Sequence, residues 1–231
     1  MKTYLAVPFG EKDEAKKLGA WWDPICKKWY APNGEAVLLE RWKVNDDVIT
    51  LVGEDRDYGG SKLFVDLIPR SCWFTNVRYC VHASDWDRLR AYVYGRVHYR
   101  CECCNIDTRN PNAPRLEAHE RWDYNEETAT QKLVRLVALC HECHQSTHMG
   151  LANVRGKGRE ARLHLEKVMG FTEEESARHI EGAFKLWRKR NLTEWRLDLS
   201  LITSNNIRLA RSIDREVRSL VSKSRGAYAY G

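Results

Sequence analysis

Two cysteine pairs and three histidines carry the chemistry that this sequence can be read for. Cys101-Glu102-Cys103-Cys104 and Cys140-His141-Glu142-Cys143 are C-x-x-C pairs about thirty-five residues apart. Zinc favours four soft ligands in a tetrahedron, and each short C-x-x-C turn supplies two thiolates. Cys101, Cys104, Cys140 and Cys143 therefore read as a four-thiolate zinc site. Four protein ligands leave no open position, so such a site is structural, and Cys103 is a spare residue inside the knuckle. His144 and His148 are spaced i, i+4, which on a helix puts both imidazoles on one face, one turn apart. His119 lies in a stretch whose alternation, Leu116 and Ala118 against Glu117 and His119, suits a strand. The run Lys132 to Leu139 reads as a second strand. The order strand, loop, strand, knuckle, helix could bring His119, His144 and His148 to one point. The alternative for His144 or His148 is to complete the zinc shell in place of a cysteine, or merely to cap the knuckle. His141, between two ligands, reads as exposed.

These motifs resemble those of the HNH endonuclease family, whose fold is a ββα-metal core. The resemblance rests on Glu117-Ala118-His119-Glu120-Arg121-Trp122 and on Leu139-Cys140-x-x-Cys143-His144-x-x-x-His148. It extends more weakly over about Arg70 to Ile202. It implies a divalent metal, Mg²⁺ or Mn²⁺, at His144 and His148 with His119, and a side chain on the first strand as general base. A phosphodiester is anionic, so a metal would offset the charge that builds in the transition state. Histidine, with its pKa near neutrality, suits the proton transfer. The sequence departs from the family at this strand, where a metal ligand is often followed directly by a histidine base. Aligned without gaps, His119 takes the ligand position and Glu120 that of the base; shifted by one, His119 is the base and Ala118 leaves the ligand position empty. Both alternatives stand.

The elements that must position these residues can also be read. Ser84 to Asp87 has the form of a capping box, and Trp86, Leu89, Val93 and Val97 recur at helical spacing, so a helix there packs on the hairpin. Gly158 to Met169 reads as a helix stopped by Gly170. Thr172 to Glu175 is a second capping box, opening a helix with an apolar stripe of Ala177, Ile180, Phe184 and Trp187. Trp195 to Leu201 alternates like a final strand. The expected fold is α+β, a ββα-metal core with its zinc knuckle packed by flanking helices, plus a small N-terminal α/β unit. Residues 46–70 read as a connector with a strand candidate at Val48 to Val52, residues 71–203 as the nuclease domain, and residues 204–231 as a basic C-terminal helix or tail.

Residues 1–45 form the separate small unit: a strand at Tyr4 to Val7, a helix from Glu11 to Leu18, a turn at Trp21 to Pro24, and a return strand from Lys27 to Ala31. Its series Val7-Pro8-Phe9, Glu11 to Ala20, Trp22-Asp23-Pro24 and Lys28 to Pro32 resembles a small domain found beside primases and other DNA-processing modules. Trp22 and Trp29 could be base-stacking platforms. A unit this small needs its tryptophans for a core, and that is the reading expected.

Composition bounds the rest. The chain has 231 residues, 43% hydrophobic and 30% charged, enough to bury a core. Apolar runs fall short of the roughly eighteen residues of a membrane span, and the first residues are too short an apolar stretch for a secretory signal. Eight cysteines without an export signal suggest metal rather than disulfides, and a cytoplasmic protein. The net charge of +6 suits a polyanionic partner. Arg121, Arg155, Lys157 and Arg159 are the candidate nucleic-acid contacts. The expectation is a DNA endonuclease, with DNA ahead of RNA as substrate. A catalytically degraded zinc module that binds nucleic acid is one alternative. Another is an effector subunit of a phage-defence system, switched on by a protein partner or complex. In the basic C-terminal run, Ile207, Ala210, Ile213, Val217 and Leu220 form an apolar stripe that could dock on the body, on a partner chain or on a second copy in a homo-oligomer.

Overall fold

The computed structural model describes residues 2–210 except 6, 8, 26–27, 33–38, 40–41, 43–48, 73–75, 111 and 206. The apolar stripe expected at Ile213, Val217 and Leu220, and Val48 of the strand candidate, lie outside the described residues. The fold is α+β. No described helix is long and apolar enough to cross a membrane.

The N-terminal unit is a three-stranded antiparallel sheet of order β1-β3-β2, made of β1 (Thr3–Leu5), β2 (Trp21–Asp23) and β3 (Lys28–Ala31). Helix α1 (Lys12–Lys17) follows β1 and turns its one buried residue, Ala15, inward. Gly19, at φ +94, ends that turn in a conformation other residues rarely adopt. Trp21 to Asp23 is thus an edge strand rather than the expected turn. The core reading of the tryptophans needs correction for Trp22, while Trp29 meets it in part. Leu5, Ala15, Ala20, Ala31, Leu39 and Trp42 form the core, and Trp29 packs half-buried against it. Trp21 and Trp22 remain 59% and 48% exposed. An edge strand has no neighbour on one side, and Trp42, recruited from beyond the sheet, supplies the bulk that Trp22 was expected to give.

The larger part is built on the hairpin of β4 (Leu116–Asn125) and β5 (Thr130–Cys140). Its register pairs His119 with Val137 and Glu120 with Leu136, and slips between Arg121 and Trp122. A short strand β6 (Arg196–Asp198) adds to β5 in parallel. The run from Leu136 to Cys140 is buried without a break because the hairpin is covered on both faces, as in a central strand. On one face, α2 (Val77–Cys80) and α3 (Ala83–Gly95) bring Val77, Leu89 and Val93 against Trp122, Leu133, Leu136 and Ala138. On the other, Val137 and Leu139 meet α4 (His141–Thr147), α5 (Met149–Val154) and α6 (Gly158–Met169) through Cys143, Met149, Ala161 and Leu165. Burying each such leucine contributes about 1.5–3 kcal/mol.

Several details depart from expectation. Helix α3 begins a residue before Ser84, and Ser84 spends its hydroxyl on His82 and Arg208 instead of capping. Helix α7 (Glu173–Arg190) keeps its capping box, Thr172 with Glu175. Its inward face carries buried Ser176 with Ile180, Ala183 and Phe184, while Ala177 faces solvent. Glu166 and the Glu173 carbonyl satisfy the Ser176 hydroxyl. After β6 the chain turns into α8 (Ser200–Thr203), so the final strand is shorter than its alternation suggested. The supposed connector is packed rather than loose. Ile49 and Leu51 enter one core and Leu63 and Val65 the other. Glu54 binds both the Arg96 guanidinium and the Leu136 N–H.

Candidate metal centre

The knuckle follows a turn in which His98 and Tyr99 both adopt positive φ, so the chain reverses between α3 and Cys101. A second tight turn, with Asn105 at φ 60, folds Cys104 back beside Cys101. Glu102 fastens this loop to β5 through three contacts. Its N–H donates to the Ala138 carbonyl, and its carboxylate accepts from the Ala138 N–H and pairs with Arg135. Cys140 ends β5 and Cys143 sits one turn into α4, so the hairpin, loop and helix converge. The four Sγ atoms lie within 4.8 Å of one another, and Cys104 and Cys140 are 3.6 Å apart. Tetrahedral zinc with bonds near 2.3 Å would set them about 3.8 Å apart. The donor set and spacing fit, and the cluster can hold a metal such as zinc. His164 Nε2 lies 3.1 Å from Cys143 Sγ, a contact from α6 that the sequence did not signal. Cys103 stands outside the cluster beside the Lys62 carbonyl, its thiol pushed up to about 12 by burial.

His119 projects from β4 against α4, whose His144 and the following His148 face it. One nitrogen of each lies within 4.8 Å of the other two. Ring centroids are 5.3 Å apart for His119 and His144, 4.8 Å for His119 and His148, and 4.5 Å for His144 and His148. Burial, and then the neighbouring His148, Arg121 and His144, hold His119 well below the usual histidine pKa. Burial lowers His144 and His148 to about 4. Three neutral imidazoles at one point are competent metal ligands. His119 is 1% exposed, and neither ring nitrogen has a hydrogen-bond partner among the described residues. Buried polar atoms are rarely left so, and a divalent cation among the three rings would satisfy His119. Glu117, which the sequence reading left without a role, bridges His141 Nδ1 at 2.9 Å and His144 Nδ1 at 3.1 Å. That contact engages Nδ1 of His144 and leaves Nε2 as the atom that could take a metal. The available signal was its spacing: Glu117 and His119, two apart on a strand, share a face.

Glu120 is not brought to this point. The strand turns it to the opposite face, where it is buried and accepts the Val77 N–H at 2.8 Å. Burial, partly offset by that bond, raises its pKa to about 7. Arg121 shares the His119 face but is no surface contact. It is 1% exposed, with its guanidinium carbon 3.9 Å from the Phe64 ring centroid. Its three guanidinium nitrogens have no hydrogen-bond partner among the described residues, and burial lowers its pKa. Asp66, also buried, acts on it electrostatically. Arg155, Lys157 and Arg159 are exposed where α5 passes into α6, just beyond the histidine-bearing helix.

Residues 2–43 match a family described as a domain of unknown function, DUF5710. Two proteins of Escherichia coli, each named DNA primase TraC, resemble the same end of the chain. One is 52% identical over 42 residues, 18% of this chain and 4% of its own length; the other is 49% identical over 43 residues, 18% and 3%. The likeness therefore covers a small part of both partners. No solved structure matches the chain.

Proposed function

We propose that the chain is a metal-dependent endonuclease of the ββα-metal (HNH) kind, hydrolysing phosphodiester bonds in DNA. The observation that carries this reading is the convergence of His119 from the first hairpin strand with His144 and His148 from the helix after the second, beside four cysteines at zinc spacing. His144 and His148 would hold a divalent metal, Mg²⁺ or Mn²⁺. When bound, it would offset negative charge on the phosphate and lower the pKa of water. His119, neutral and without a hydrogen-bond partner among the described residues, would take a proton or complete the ligand set. Glu117 orients His144, and Arg121 adds positive charge behind the rings. The four-cysteine zinc site would keep hairpin and helix in register. Exposed Arg155, Lys157 and Arg159 would meet the substrate backbone. The primases matched at the N-terminus support a nucleic-acid setting.

The burial of His119 favours a second reading, in which the centre is silent until a partner opens it, as in a phage-defence effector. A non-catalytic zinc module would share the same cysteine site. Cleavage of supercoiled plasmid by purified, zinc-loaded protein tests the choice, with Mg²⁺, Mn²⁺ or chelator, beside His119→Ala. Metal-dependent nicking abolished by the substitution is expected. Nicking that survives His119→Ala would overturn the assignment of the centre. A folded wild-type protein that does not cut would favour the second reading.

A further inference from the structure

The N-terminal unit leaves its aromatic side chains in an arrangement its own core does not explain. Trp22 and Trp29 are cross-strand partners, so they share a face of the sheet, and their rings meet edge-on at 5.5 Å. With Lys16, Ala20 and Trp21 they line a groove of about 450 Å³. Trp21 points to the other face of the same edge strand, the face of its partner Tyr30 and of Tyr4. One short strand therefore offers aromatic surface on both sides, at 59% and 48% exposure. Leaving two tryptophans open in so small a unit forgoes burial that would stabilise it.

Among the described residues, the charged side chain lining the groove is that of Lys16. On α1, Lys12 and Lys16 are one turn apart on the flank facing the groove, since Ala15 points inward and Lys16 lines the wall. Helical geometry turns Glu14 to the opposite flank and Asp13 outward. Asp23, the acidic residue of the edge strand, is buried and bound by Lys2 and Tyr4. Flat aromatic faces beside lysine ammonium groups match bases strung on a phosphate backbone. The five groove residues include no hydroxyl, amide or carboxylate side chain to read a ribose 2′-hydroxyl, so the interactions the site offers are base stacking and a phosphate contact, which DNA supplies in full.

We infer that the edge strand Trp21–Asp23, with Trp29 and Lys16, is a binding site for single-stranded DNA, separate from the metal centre. One base stacks in the Trp22–Trp29 groove, a neighbouring base lies on Trp21, and Lys16 meets the phosphate between them. This inference does not depend on nuclease activity.

The test uses the full chain carrying His119→Ala, so that any cleavage is suppressed. Fluorescence anisotropy follows binding of a labelled ten-nucleotide oligothymidylate, with tryptophan quenching as a second readout. Trp22→Ala and Trp21→Ala are each expected to weaken binding at least about fivefold, the low end for loss of one base–aromatic stack, and to reduce the quenching. Trp22→Phe should restore most of it, and unchanged thermal unfolding would show that the exposed positions do not hold the fold. An abasic oligonucleotide of the same length should bind weakly and equally to all variants. Equal affinity of the parent and the Trp21→Ala/Trp22→Ala variant for oligothymidylate would overturn the inference. So would an abasic strand that binds as well as the base-bearing one. Tighter binding of oligouridylate than of oligothymidylate would overturn the assignment to DNA.

Discussion

Substituting Glu120 separates the two proton acceptors between which the sequence could not choose. Its carboxylate lies on the face of β4 away from the histidines, buried, and accepts the Val77 N–H at 2.8 Å. Glu120→Gln keeps the volume, and its side-chain carbonyl can accept the same bond, so stability should change by less than about 1 kcal/mol. Glu120→Ala strands a buried donor, at about 1–3 kcal/mol, and opens a small cavity as well, so a loss of about 2–4 kcal/mol is expected. Neither change touches the histidine cluster. Initial nicking rates at pH 7.5, corrected for folded fraction, should therefore stay within about threefold of wild type, whereas losing a general base costs about 10²–10⁴. The assay is plasmid nicking in Mn²⁺ alongside urea unfolding. A hundredfold loss in Glu120→Gln with an unchanged unfolding midpoint would refute the argument from strand alternation. It would place the carboxylate in the reaction.

Glu117→Gln removes the charge held against His144, and Mn²⁺ affinity by direct titration should fall about 10–100-fold; unchanged affinity would make Glu117 a bystander. Arg121→Met replaces a buried guanidinium that lacks hydrogen-bond partners among the described residues with an apolar side chain. Denaturant unfolding should show little change, since removing an unbonded buried charge is set against the lost compensation of buried Asp66, while nicking slows. A clear loss of stability would mean that the protein itself satisfies the guanidinium. Asp85 is fully buried, and although burial raises its pKa, bonds from the Arg208 N–H and guanidinium outweigh it and hold it below the usual carboxylate range. A depressed folded pKa stabilises the protein above the unfolded value, near 3.9, and that stabilisation is lost as pH falls through the folded value. Asp85→Asn should therefore cost about 2–3 kcal/mol at pH 7, Arg208 being partly exposed, with the difference shrinking below about pH 4. A pH-independent difference would exclude the charge as its cause.

Local pattern determined much of this protein. Metal-ligand spacing is a short-range property, so the four cysteines and the His144/His148 pair could be named from sequence, and the alternation around His119 placed it on a strand facing them. Gly170, the Thr172 capping box and the α3 stripe likewise act within a turn or two of themselves. Tertiary structure decided whatever depended on which face a neighbour covers. Alternation puts Glu120 and His119 on opposite faces of the strand, but the packing of α2 on one face and α4 on the other decides which of them meets the histidines. Arg121 reads as a surface cation until Phe64, from a segment expected to be a connector, lies across it. Trp22 reads as core until Trp42 fills that place and the edge position of β2 leaves Trp22 open to solvent. In each case the residue type was known from sequence, but its burial depended on a segment distant in the chain.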